Sequence, residues 1–86
     1  MEVTGTLEDW TIIPIDVEGH ILLAGHIYGD IKSRFVDGTA VLTSRIMLYE
    51  GGIAFTKNSA YKLGTPYDVG NVINIEELNK QKKIGE

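Results

Sequence analysis

A glycine doublet, Gly51-Gly52, separates two runs rich in β-forming residues, Thr39 to Glu50 and Ile53 to Leu63. Both central positions of a two-residue type I′ turn need positive φ, which glycine adopts without steric cost. The stretch from Asp37-Gly38 to Leu63-Gly64 therefore reads as one β-hairpin. The doublet sets a register in which Leu48 faces Phe55, Ile46 faces Lys57, Ser44 faces Ser59 and Leu42 faces Tyr61. Side chains alternate between faces along a strand. One face then carries Leu42, Ile46, Leu48, Ile53, Phe55, Tyr61 and Leu63 as a core. The other carries Thr43, Arg45, Met47, Thr56, Asn58 and Lys62, with Arg45 directly across from Asn58. A slip of one residue would exchange the two faces.

Two polar blocks, Thr43-Ser44-Arg45 and Lys57-Asn58-Ser59, face each other in this register. Ser44 and Ser59 form a hydroxyl pair in an apolar face, where an unpaired partner costs roughly 1–3 kcal/mol. The pair is either structural or open to a ligand. Arg45 presents a planar fork of donors suited to phosphate or carboxylate. These residues define a candidate site for a small anionic ligand: Arg45 on the anion, with Asn58, Ser44, Ser59 and Thr43 supplying hydrogen bonds. Lys32 and Arg34 from the preceding loop would close it, and Phe35 or Tyr28 would stack on a base. Ordinary solvent-facing strand residues are the competing account of the same pattern.

The rest of the chain repeats the β pattern. Ten glycines punctuate short runs of Ile, Val, Thr and aromatics, the signature of several short strands. Trp10 to Asp16 reads as a first strand, and Pro14, which lacks a ladder donor, places it at an edge. His20 to Tyr28 is apolar almost throughout and reads as central, and Gly25 within it signals a bulge or a close backbone approach. Gly29 to Gly38 is a loop. The tail over residues 72–83 fits a strand or a helix, and Glu76 and Lys80 at i,i+4 favour a short helix. Residues 1–86 thus form one small domain, mainly β, with an antiparallel or barrel-like sheet of five to six strands and a short C-terminal helix. Domains of this size bury only about 60% of their unfolded surface, and an apolar sheet edge near Met47 invites association into a homo-oligomer.

Composition narrows function chiefly by exclusion. A net charge of −4 argues against bulk nucleic-acid binding. The charge is uneven: residues 1–18 hold Glu2, Glu8, Asp9, Asp16 and Glu18 without a base, whereas Lys32, Arg34, Arg45, Lys57 and Lys62 dominate the middle. The acidic segment supports a second reading, a protein-interaction module that inhibits an enzyme through that face; a structural scaffold is a third. Without cysteine there is no thiolate chemistry or disulfide. No apolar run approaches the roughly 20 residues of a membrane span, and the start lacks a signal-peptide pattern, so a cytoplasmic protein is expected. His20 and His26 are too far apart along one strand to share a metal. Adjacent Glu8 and Asp9 point to opposite sides, and Asp30 and Asp37 suit turns. With no nucleophile–base pair, metal set or phosphate-cradling loop, the expectation is a non-enzymatic binder without a cofactor.

The segments Thr43-Ser44-Arg45-Ile46 and Thr56-Lys57-Asn58-Ser59-Ala60-Tyr61-Lys62-Leu63-Gly64 resemble a loose group of small phage and prophage proteins. In that group a T-S-x-I element precedes a T-x-N-S/T-x-Y-x-L-G element. The likeness covers about a third of the chain. It implies an anti-defence role in the host cytoplasm, one class being oligomeric sponges that sequester cyclic nucleotide or ADP-ribose-derived immune signals.

Overall fold

Short β-segments set off by glycines and polar breaks assemble into a single curled sheet. The computed structural model describes residues 2–80. Strands β1 (Gly5–Pro14), β2 (Ile21–Tyr28), β3 (Thr39–Leu42), β4 (Leu48–Glu50), β5 (Ile53–Phe55) and β6 (Ala60–Leu63) precede helix α1 (Gly70–Lys80). The strand order is β3-β2-β1-β6-β5-β4. Neighbours run antiparallel except β1 and β6, which pair in parallel. The mainly β class with a short C-terminal helix holds, although the sheet is mixed rather than wholly antiparallel.

β1 begins earlier than Trp10 and is not an edge: β2 and β6 flank it. Pro14 is tolerated because β6 pairs only with Gly5 to Leu7, so the far end of β1 has no ladder partner on that side. Between Glu8 and Thr11 the register shifts, with Asp9 and Trp10 opposite Gly25 alone. This bulge changes the inward parity, so that Leu7 and Trp10 are both buried. Asp9 carries it in the left-handed region at φ 51°, and a Cβ on Gly25 would lie 2.7 Å from Leu7 Cγ and 2.9 Å from the Glu8 carbonyl. The close approach expected at Gly25 is present, with the bulge on the neighbouring strand.

Helix α1 takes over where β6 leaves β1 unpaired. Asp68 caps it, its carboxylate accepting from the Gly70 amide. Asn71, buried, accepts from the Thr11 hydroxyl and the Ile12 amide and lies 3.5 Å from the Trp10 carbonyl. Ile75 and partly buried Leu78 pack on the core, whereas Val72 faces out. The helix expected over 72–83 is present from Gly70 to Lys80, and its last three positions lie outside the described residues.

The long hairpin is only partly formed. Gly51 and Gly52 both have positive φ, and Leu48 faces Phe55 as expected. Beyond those pairs both arms break. The first splits into β3, bonded to β2, and β4, bonded to β5, at opposite edges of the sheet. The second turns back at Thr56 to Ser59, closed by the Thr56 amide on the Ser59 carbonyl at 2.8 Å. Arg45 and Asn58 are therefore not cross-strand neighbours, Ser44 does not face Ser59, and Leu42 pairs with Ala24 rather than Tyr61. The faces also differ: Ala54 is fully buried beside half-buried Tyr49, while Leu42 is 70% exposed and Leu48 also lies outside.

Thr43 to Met47 forms a strap joining the two edges. The Thr43 amide donates to the Leu23 carbonyl, the Ile46 amide to the Ile21 carbonyl and the Met47 amide to the Phe55 carbonyl. Thr43 Oγ1 also accepts from the Leu23 amide at 2.9 Å, standing in for a backbone carbonyl. Ile46 points inward and is fully buried with Leu7, Trp10, Ile21, Leu23, Ala54 and Ile75. Replacing Ile46 by Ala should therefore cost about 2–5 kcal/mol in urea unfolding. Leu42→Ala, which shares its face in an unbroken hairpin, should change stability by less than about 0.5 kcal/mol. Equal losses would be the mark of the unbroken hairpin.

Candidate functional site

Part of the chemistry singled out in the sequence gathers at one corner, where the loop after β2 meets the turn between β5 and β6. Thr4 ties these segments together: it exchanges bonds with Ala60 through its amide and hydroxyl, and its carbonyl accepts from the Ile31 amide. Within the loop, the Asp30 carboxylate accepts from the amides of Lys32, Arg34 and Phe35. Asp37 accepts from the Gly29 amide and closes the loop's base. Asp30 and Asp37 thus serve the turn, as their residue type suggests.

This loop delivers one cation, Lys32, to the turn and holds a second, Arg34, within itself. Lys32 Nζ donates to the Asn58 carbonyl at 2.7 Å and to Ser59 Oγ at 2.9 Å. Arg34 Nε lies 3.4 Å from Asp30 Oδ2, and its guanidinium sits 5.3 Å from the centroid of the exposed Phe35 ring. The neighbouring Tyr61 hydroxyl, and then the Asp30 carboxylate, raise the Arg34 pKa further, against the opposing effect of burial. Burial pulls the Asp30 carboxyl upward, but the Lys32 and Arg34 amides and the guanidinium outweigh it and hold it below the usual carboxylate range. Among the described residues no carboxylate lies within ion-pair distance of Lys32 or Lys57. The corner therefore keeps an excess of positive charge.

Of the residues singled out in the sequence, Lys32, Asn58 and Ser59 come together here, and Arg34 and Phe35 stack on each other in the Lys32 loop. The others do not join them through any hydrogen bond. Thr43 is buried in the strap, its hydroxyl committed to Leu23 and to the Ser44 carbonyl. Ser44 is exposed, and Arg45 contacts Met47 Sδ through Nη2 at 3.2 Å. Tyr28, at the end of β2, is exposed beside Thr6 and lines a hollow with Glu8 and Asp9. Asp30, which accepts from Arg34, and Tyr61, which raises its pKa, were assigned only to a turn and to the core. Their signal in the sequence is a carboxylate four residues ahead of an arginine and a tyrosine two residues beyond the turn.

The acidic N-terminal residues are spent largely on local structure. Glu8 accepts from the Thr65 amide. Asp16 accepts from the Glu18 and His20 amides and from His20 Nδ1 at 2.8 Å, a bond that chiefly holds its pKa down. No helix among the described residues is long and apolar enough to cross a membrane.

Because the Asp30 and Asp16 carboxyls are depressed in the folded chain, their contribution to stability is present above the ordinary carboxylate range. It fades as pH falls through their lowered values. Urea unfolding across that range should show stability falling on acidification. Asp30→Asn should lower stability at neutral pH and flatten, without abolishing, the acid-side fall; an unchanged slope would mean that Asp30 gains nothing on folding.

Comparison of the chain with protein-family models, with curated proteins and with solved structures finds no match.

Proposed function

We propose that this chain is a non-enzymatic binding module that takes a small anionic ligand at the corner between the Gly29–Gly38 loop and the 56–59 turn. The observation that carries the reading is Lys32 fixed on that turn by neutral acceptors, with Arg34 and the exposed Phe35 ring on the same loop. Two of the three ammonium donors of Lys32 are committed to neutral acceptors. The third, the outer face of the Arg34 guanidinium and Lys57 at the turn tip are the donors offered to an anion. Phe35 supplies a face on which a base can stack.

Ile31, Phe35 and Val36 leave apolar surface exposed around this corner, which supports a ligand held between copies of the chain in a homo-oligomer. The likeness to small phage proteins supports a nucleotide-derived immune signal as the ligand, a cyclic nucleotide or an ADP-ribose derivative, and an anti-defence sponge in the host cytoplasm as the role.

A thermal-shift panel of cyclic di- and trinucleotides and ADP-ribose variants tests this directly. A ligand at 100 times its dissociation constant stabilises the chain by about 2.7 kcal/mol. Lys32→Ala and Arg34→Ala should each weaken that effect, whereas Arg45→Ala, remote from the turn's hydrogen bonds, should leave it intact. A panel without any shift, or a shift untouched by both substitutions, removes the proposal.

A further inference from the structure

The curled sheet keeps two edges, and they are finished differently. Helix α1 packs against β4, whereas β2 is the only element that packs against β3. Ladder alternation shows which backbone groups this leaves unused. The Thr43 amide donates to the Leu23 carbonyl, so in the β2–β3 register Val41 and Thr43 are the residues that bond β2. Ala40 and Leu42 therefore turn their amides and carbonyls away from β2, and among the described residues no other backbone group reaches them. Their side chains share the outer face with Ala24 and His26, and Leu42 is 70% exposed. Val41, between them, packs inward against the core.

Edge strands commonly carry something that blocks pairing with another chain, such as a lysine, a proline, a bulge or an inward charge. Thr39-Ala40-Val41-Leu42 has none of these. The segment is neutral in a chain of net charge −4, so two copies meet here without like charges opposed within the strands. Its free groups are also self-complementary. With a two-fold axis at Val41, Ala40 exchanges both hydrogen bonds with the partner's Leu42, and Leu42 with the partner's Ala40, which satisfies every one of these groups. The partner's Leu42 then stands beside Ala40, where Ala24, Gly25 and Ala40 leave the outer face hollow. The two leucines become diagonal neighbours within reach of each other. Past the strand ends the same register brings Arg45 toward the partner's Asp37. These groups have opposite charge and form no ion pair in their own chain among the described residues.

We infer that the free edge of β3 is a self-association surface, on which a second copy of this chain adds its own β3 antiparallel about a two-fold at Val41. The sheet then continues from one subunit into the other. This interface does not depend on an anion at the Lys32 corner, whose loop is tied through Ile31 to Thr4, on the side of β1 that pairs with β6. One short strand is a contact at the small end of specific interfaces, so the dimer forms and separates with concentration.

Sedimentation of the full chain without ligand from about 10 μM to about 1 mM, with amide hydrogen exchange on the same samples, tests the assignment. Mass should rise toward that of a dimer, and exchange at Ala40 and Leu42 should slow as it does. Leu42→Lys alters an exposed side chain, leaves the ladder untouched and sets two ammonium groups diagonally across the axis. It should weaken association at least about tenfold. Ala40→Pro removes an outward amide, a change that edge strands tolerate, and should act similarly; Leu42→Lys decides the matter if the proline variant folds poorly. Ile31→Asp at the corner and Ile73→Asp on the exposed side of α1 should leave association unchanged. A monomer throughout the range, full association in Leu42→Lys, or loss of the dimer in Ile31→Asp or Ile73→Asp would overturn this interface.

Discussion

The strap from Thr43 to Met47 is the constraint on which the rest of this structure rests. It connects β3 and β4, which are the two outermost strands of a six-stranded sheet. The chain from Leu42 to Leu48 reaches at most about 20–22 Å when extended. Flat strands spaced about 4.8 Å apart would put the edges about 24 Å from one another. The strap is also bent, because it donates to Leu23, Ile21 and Phe55 in turn. The sheet must therefore curl until its edges come within reach. Curling is what encloses Leu7, Leu23 and Ala54 around Ile46, and what allows so short a chain to bury a core.

A curled sheet with a partial parallel pair leaves backbone groups in need of partners, and the chain supplies them from outside the ladder. Past Leu7, β6 no longer accompanies β1. The Trp10 carbonyl accepts instead from the Tyr67 amide, the Trp10 indole donates to the Gly64 carbonyl, and the Asn71 side chain takes the Ile12 amide. Thr43 Oγ1 and Thr4 Oγ1 do the same for the amides of Leu23 and Ala60. Buried threonines and asparagine thus act as short substitutes for missing strands, which accounts for polar residues in a core that is otherwise aliphatic. The helix docks where this need is greatest, with Ile75 and Leu78 burying apolar surface behind Asn71.

What the sequence made legible follows the physics of each signal. The glycine doublet specifies a local turn, and turn and adjacent register are as read. Gly25 reports a close approach because only one residue type fits there. The i,i+4 pair in the tail indicates a helix, which is present. The polar blocks flanking the doublet were located correctly and read wrongly. Thr43-Ser44-Arg45 and Lys57-Asn58-Ser59 interrupt their strands instead of facing each other, because threonine hydroxyls there bond backbone groups in competition with the ladder. No alternation pattern distinguishes a long arm from two short arms with a break, since that depends on which distant strand offers the better partner. The anticipated cluster divides for the same reason: Lys32, Arg34, Phe35, Asn58 and Ser59 belong to a loop and a turn that pack together, while Arg45 and Thr43 went with the strap.

The break in the second arm also determines what the corner can do. A lysine on a loop is ordinarily a free, hydrated charge with about 2 kcal/mol of rotamer entropy to lose on binding. Here the Asn58 carbonyl and Ser59 hydroxyl hold Lys32 in place, and both acceptors exist only because the chain turns at that point. They are neutral, so they fix the ammonium without cancelling it. Arg34 is held differently, by the Asp30 carboxylate of its own loop, which offsets part of its charge. A lysine immobilised by neutral groups is poorer as a stabilising device than a salt bridge would be, since it retains its uncompensated charge. It is better suited to meeting an anion, because most of the ordering that binding requires has been done by the fold.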